Sequence, residues 1–65
     1  MIYRVRYGKH FLKAGGLSHE PRIFAHPSAA RRAIEGFEKR FPNKVGHGVI
    51  EGVRFGKVVE NVPLL

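Results

Sequence analysis

Val5-Arg6-Tyr7-Gly8-Lys9-His10-Phe11, near the start of the chain, returns near its end as Val53-Arg54-Phe55-Gly56-Lys57-Val58-Val59. Each copy reads as a β-hairpin. Gly-Lys between two β-formers suits a two-residue type II′ turn, where glycine takes the first central position because φ must be positive there. Pairing across Gly8-Lys9 sets Tyr7 opposite His10, Val5 opposite Leu12 and Tyr3 opposite Ala14. These six residues share one largely apolar face, which is expected to meet the core. Side chains alternate along a strand, so the other face carries Arg4 beside Lys13 and Arg6 beside Phe11. The second hairpin covers about residues 48 to 62. Its register conflicts with its composition, because pairing across Gly56-Lys57 puts Glu51 and Glu60 on the same face as Val53, Phe55, Val58 and Val62. Either both glutamates sit at sheet margins or the turn is a different one.

Between the hairpins, Ala30, Ala33, Ile34, Phe37 and Phe41 recur at helical spacing and form one apolar stripe. Pro27 suits the first helical position with His26 as N-cap; a start capped by Ser28 is the alternative. Pro42-Asn43 ends the helix. Gly36 inside it costs roughly 1 kcal/mol relative to alanine, and a close packing contact is the plain explanation. Residues 15 to 22, with two glycines and a proline, read as a loop, and Arg22 to Ala25 as a short third strand with Phe24 turned inward. The predicted fold is a single α+β domain spanning residues 1 to 65, an antiparallel sheet of two β-hairpins with one α-helix on one face, β-β-(β)-α-β-β.

A chain of 65 residues buries only about 60% of the surface it exposes when unfolded. With no cysteine, it has no disulfide or thiolate-held metal to support it. Self-association or folding against a partner is the support that remains, and the apolar Val62-Pro63-Leu64-Leu65 end is expected to return to the core or dock on another chain, so a homodimer enters the alternatives. No apolar run approaches the roughly 20 residues of a membrane span, and the N-terminus lacks a signal-peptide layout, so a soluble, intracellular protein without a membrane partner is expected.

Twelve Lys and Arg oppose five Glu with no Asp, for a net charge of +7. The excess is local. Residues 1 to 33 carry seven cations against Glu20 alone, whereas residues 34 to 65 carry five against four glutamates. The first hairpin and the helix start should therefore make an electropositive surface suited to polyanions. Arg4, Arg6 and Lys13 can neutralise phosphates while Phe11 offers a ring for stacking. Arg31 and Arg32 oppose the helix dipole in the first turns, which argues for an external anion there. These six are the expected binding residues.

Catalytic constellations are thin. Ser18 and Ser28 are the only hydroxyl nucleophiles besides tyrosine, and Glu35 and Glu38 are expected to pair with Arg31, Arg32 and Lys39 on the outer helix face. Four histidines motivate one enzymatic alternative, a small ribonuclease using His19 and His26 around Arg22. A loop histidine and a helix cap are the plainer roles. His19 with His10 or His47 shows no distinctive ligand spacing, so neither metal nor other cofactor is expected.

Residues 3 to 34 resemble short phage and prophage accessory proteins of a hairpin-helix type. The resemblance rests on Tyr3, Val5, Gly8-Lys9, Phe11-Leu12, Gly15-Gly16, Phe24, and Ala30, Ala33 and Ile34. Pro27 at the helix start departs from that pattern. The resemblance implies a non-catalytic protein of the host cytoplasm that binds and modulates a host nucleic-acid machine or defence complex, for example a CRISPR-type or transcription complex. Its partner would be a host protein or ribonucleoprotein with an acidic surface; direct binding of DNA or RNA is the close alternative. No catalytic residue is carried over.

Overall fold

A computed structural model describes residues 1–62. In chain order the elements are β1 (Ile2–Tyr7), β2 (His10–Lys13), β3 (Gly16–Ser18), α1 (Pro27–Arg40), β4 (Val49–Arg54) and β5 (Lys57–Val62), with one 3-10 turn at Pro42–Lys44. The strands form an antiparallel sheet in the order β3-β2-β1-β4-β5, so the two expected hairpins are joined through β1 and β4. The helix lies on one face of this sheet. It is a small α+β fold of the kind the two hairpins and the apolar stripe predict.

Alternation along β1 divides its residues between the faces. Val5 and Tyr7 turn toward α1 and join Leu12, Phe24, Ala30, Ile34, Phe37 and Ile50 in one core, with Tyr3, Ala33 and Val62 packed against it. Tyr7 stacks at 5.1 Å on Phe37. Burial, with Glu38 adding to it, pushes the Tyr7 hydroxyl up to about 12. Its ring also explains Gly48: a Cβ built there would lie 2.7 Å from the Tyr7 ring, so only glycine admits the approach. Two members of the expected inner face fall outside the core. His10 is exposed beside the first turn, and Ala14 occupies the next turn with a positive φ of 50°.

The first turn has the expected form. Tyr7 pairs with His10, and Gly8 takes φ 64° at the first central position. The second does not. Arg54 pairs with Lys57, so Phe55 and Gly56 are the central residues, both left-handed at φ 54° and 76°, a type I′ geometry. A bulge between Gly52 and Val53 shifts the β5 register. Together these resolve the glutamate conflict: Glu51 lies opposite Arg4 on the outer face, while Glu60 lies opposite Gly52 on the helix side and is exposed.

Residues 15 to 25 also differ from expectation. Gly16–Ser18 forms β3, paired with β2 through Leu12–Leu17 and Lys13–Gly16, so a third hairpin stands where a loop was predicted. The predicted strand at Arg22 to Ala25 is reduced to one bridge, in which Tyr3 and Phe24 exchange two backbone hydrogen bonds of 2.8 Å. Phe24, not Ala14, is therefore the neighbour of Tyr3. Phe24 is buried as expected.

His26 is the helix N-cap and Pro27 opens the first turn, as the sequence suggests. Ala30, Ile34 and Phe37 are buried, but Phe41 leaves the stripe: it is the C-cap, 42% exposed, with its ring 4.9 Å from that of Phe37. Gly36 makes no close packing contact, since a Cβ there would meet nothing within 4 Å. Glu38 turns away from the expected helical pairs and accepts the Gly46 N–H at 3.0 Å. Among the described residues no helix is long and apolar enough to cross a membrane. Val62 packs against the core, and Pro63, Leu64 and Leu65 lie outside the described residues.

Candidate anion-binding site

Strand alternation does bring Arg4, Arg6 and Phe11 to the outer sheet face, but a carboxylate comes with them. Glu51 stands opposite Arg4 and is 5% exposed. Arg4 Nε donates to its Oε1 at 2.9 Å and Arg6 Nε to its Oε2 at 2.8 Å, so each oxygen holds one guanidinium. Burial by itself would raise the Glu51 carboxyl; the hydrogen bonds from Arg6 and Arg4 outweigh it and hold the group below its ordinary value. Arg4 also lies 4.7 Å over the Phe11 ring, and Arg6 donates to the Gly8 carbonyl at 3.2 Å. Lys13 is drawn away to Glu20 at 2.9 Å, and that bond lowers the Glu20 carboxyl. This constellation fastens β1 to β4 and the first turn to the sheet. Two guanidinium groups share one buried carboxylate here, which halves the positive charge the pair offers a partner, and Arg4 covers one face of the Phe11 ring.

A second set of cations gathers elsewhere. Between α1 and the β2–β3 turn lies a groove of about 310 Å³ with Leu12, Ala33 and Phe37 at its floor and Arg22, Arg32 and Arg40 along it. Among the described residues none that lines it is acidic. The helix supplies two of the arginines by simple spacing. Arg32, Gly36 and Arg40 follow one another every four residues, so they line one face, and the missing side chain at Gly36 leaves the middle of that face open. Arg22 comes from the segment after β3, whose N–H donates to the Leu12 carbonyl at 3.1 Å and so carries it to the opposite wall.

Two of these guanidinium groups are already oriented. Arg22 rests 4.9 Å over Phe24, and Arg40 donates to the Gly15 carbonyl while lying 5.9 Å from the Phe41 ring. Holding a long side chain in place before binding lowers the entropy lost on binding. Each guanidinium carries five N–H donors, so one bond to Gly15 leaves Arg40 able to take an anion. Arg32 is exposed and has no ionic partner among the described residues. Arg31 is half-buried and does not line the groove, so the structure separates the expected Arg31–Arg32 pair.

The histidines are distributed differently. His19 packs on His10 at 4.8 Å between ring centres, and His26 makes no side-chain cap hydrogen bond at the helix start. Among the described residues no three His, Cys, Asp or Glu side chains cluster closely enough to hold a metal ion.

Arg40 is not among the expected binding residues, and Arg22 enters the sequence analysis only as the cation between His19 and His26 in the ribonuclease alternative. The four-residue spacing of Arg32, Gly36 and Arg40 was a usable signal; nothing in the sequence announced that Arg22 would face them. No protein-family model, curated protein or solved structure matches this chain.

Proposed function

We propose that this is a non-catalytic basic binding protein that engages a nucleic-acid-bearing partner by seating phosphate groups among Arg22, Arg32 and Arg40. The observation carrying this reading is the groove itself: three arginines from two segments, two of them held by ring or carbonyl contacts, around a floor with no carboxylate among the described residues. Planar guanidinium groups match phosphate geometry, and the charge of +7 favours encounter with polyanions. Attachment of this kind is compatible with modulation of a host nucleic-acid machine, the role implied by the resemblance to phage accessory proteins. The role of Glu51 shifts the weight of binding from the expected sheet-face set of Arg4, Arg6, Phe11 and Lys13 to the groove.

Anisotropy of a labelled oligothymidylate at increasing salt tests it. For single strands the log–log slope is about −0.7 per phosphate neutralised, so Arg32→Gln or Arg22→Gln should each reduce it by about that much. Arg4→Gln should change it less, because Glu51 already occupies that guanidinium. If the oligonucleotide is not retained at low salt, direct contact with nucleic acid fails and an acidic protein surface becomes the better partner.

A further inference from the structure

The two heptads share five successive residue types, Val-Arg-aromatic-Gly-Lys, yet they turn differently. In the first, Gly8 and Lys9 make the turn and Tyr7 remains in its strand, buried in the core. In the second, the turn moves back by one residue and the aromatic itself becomes its first central residue. Phe55 then has a left-handed backbone, φ 54°, which bulky residues rarely adopt, and an exposure of 94%. Backbone strain and loss of burial coincide on one side chain, although the first copy shows an unstrained register that suits the same residue types. An outlier of this kind points toward function.

The setting narrows what the ring meets. Arg54 and Lys57 face each other as the last strand pair below it, so two cations stand at the neck of the hairpin. The ring makes no aromatic or cation contact among the described residues. It borders a shallow hollow of about 460 Å³ lined by Met1, Ile2, Val53 and Arg54. A ring lying down on Met1 and Ile2 would share its exposure with them as one apolar patch; at 94% it stands clear, with its faces open. An open ring above two cations has the form of a stacking platform for a nucleobase with the adjoining phosphates held alongside.

We infer that the β4–β5 apex is a second nucleic-acid contact, in which Phe55 stacks on an unpaired base while Arg54 and Lys57 take the flanking phosphates. This inference rests on the nucleic-acid reading above but uses a different surface, at the opposite end of β4–β5 from Val62. The chain has no tryptophan, so Phe55→Trp places a single tryptophan at the apex, excited selectively over Tyr3 and Tyr7 at the red edge of the absorption band. Titration with oligothymidylate should quench its emission over the same concentration range in which anisotropy reports binding. Phe55→Asn, whose side chain tolerates the left-handed turn, should keep or raise Tm while weakening oligothymidylate binding by roughly 5- to 150-fold, the worth of one stacked base, with the salt slope unchanged.

Bound oligonucleotide with unquenched tryptophan, or full-strength binding by Phe55→Asn, would overturn the apex contact and leave the groove standing. Absence of oligonucleotide binding by the parent protein would remove both. A blue shift with phosphatidylglycerol vesicles but no quenching by oligothymidylate would reassign the apex to a lipid surface.

Discussion

Glu51 concentrates the electrostatics of the fold in one side chain. Its carboxyl is held below the ordinary value near 4.5, so its contribution is fully present above that pH and is lost as pH falls through the lower folded value. Replacing it with glutamine removes one charge and one of the two acceptor oxygens, so that an amide NH2 faces either the Arg4 or the Arg6 guanidinium. Glu51→Gln should cost about 1.5–3 kcal/mol at neutral pH, with the gap from the parent closing in acid; urea midpoints at pH 7 and pH 3 measure both effects. Gly48 illustrates a steric constraint at the same scale. Because an added Cβ would lie 2.7 Å from the Tyr7 ring, Gly48→Ala should destabilise by about 1–3 kcal/mol, read as a fall in Tm.

Among the elements, α1 and the second hairpin each carry an energetic cost that their own neighbours do not explain. Gly36 lies in the helix with open space where its side chain would be, so Gly36→Ala should stabilise the protein by roughly 1 kcal/mol in chemical denaturation. The same methyl would narrow the groove between Arg32 and Arg40. The β4–β5 turn holds phenylalanine where asparagine is far better suited. Phe55→Asn is expected to raise stability by roughly 0.5–1 kcal/mol, a Tm increase of a few degrees in a domain of this size. A gain in stability at either position accompanied by weaker binding is the pattern expected where an element is shaped for contact instead of for folding.

Across the whole molecule, β1 and β4 are the centre of the sheet and the support of the helix, while β3 and β5 are its edges. Val5 and Ile50 are fully buried and directly paired on these two strands. Amide exchange measured by mass spectrometry should therefore be slowest in β1 and β4 and fastest in β3 and at the β5 edge, where one side of each strand has no neighbour in the sheet. Both proposed contacts lie away from that centre. The groove uses the β2–β3 end of the sheet and the apex uses the β4–β5 end, so Arg22→Gln and Arg32→Gln are expected to weaken binding with little effect on the slowest-exchanging amides, whereas Gly36→Ala and Phe55→Asn should slow those amides further through their gain in global stability.

Local pattern was enough to specify the helix from Pro27, the first turn at Gly8-Lys9 and the inward set of Tyr3, Val5, Tyr7 and Leu12, because periodicity and turn chemistry act between residues close in the chain. It was also enough to put Arg4 and Arg6 on one face. Their engagement by Glu51 was not legible, since that depends on β1 pairing with β4 across 45 residues or more. The same dependence on distant pairing governs the second hairpin, where a bulge and a displaced turn send Phe55 outward although its surrounding residues nearly repeat those of Tyr7. The groove lies between these cases: Arg32, Gly36 and Arg40 share a face by helical geometry alone, whereas Arg22 reaches them because its N–H bonds to Leu12 and Phe24 bonds to Tyr3, seating the segment beside the helix. Charge and periodicity are properties of neighbours in sequence; which cation finds a carboxylate, and which aromatic finds a core, is decided by how the strands are assembled.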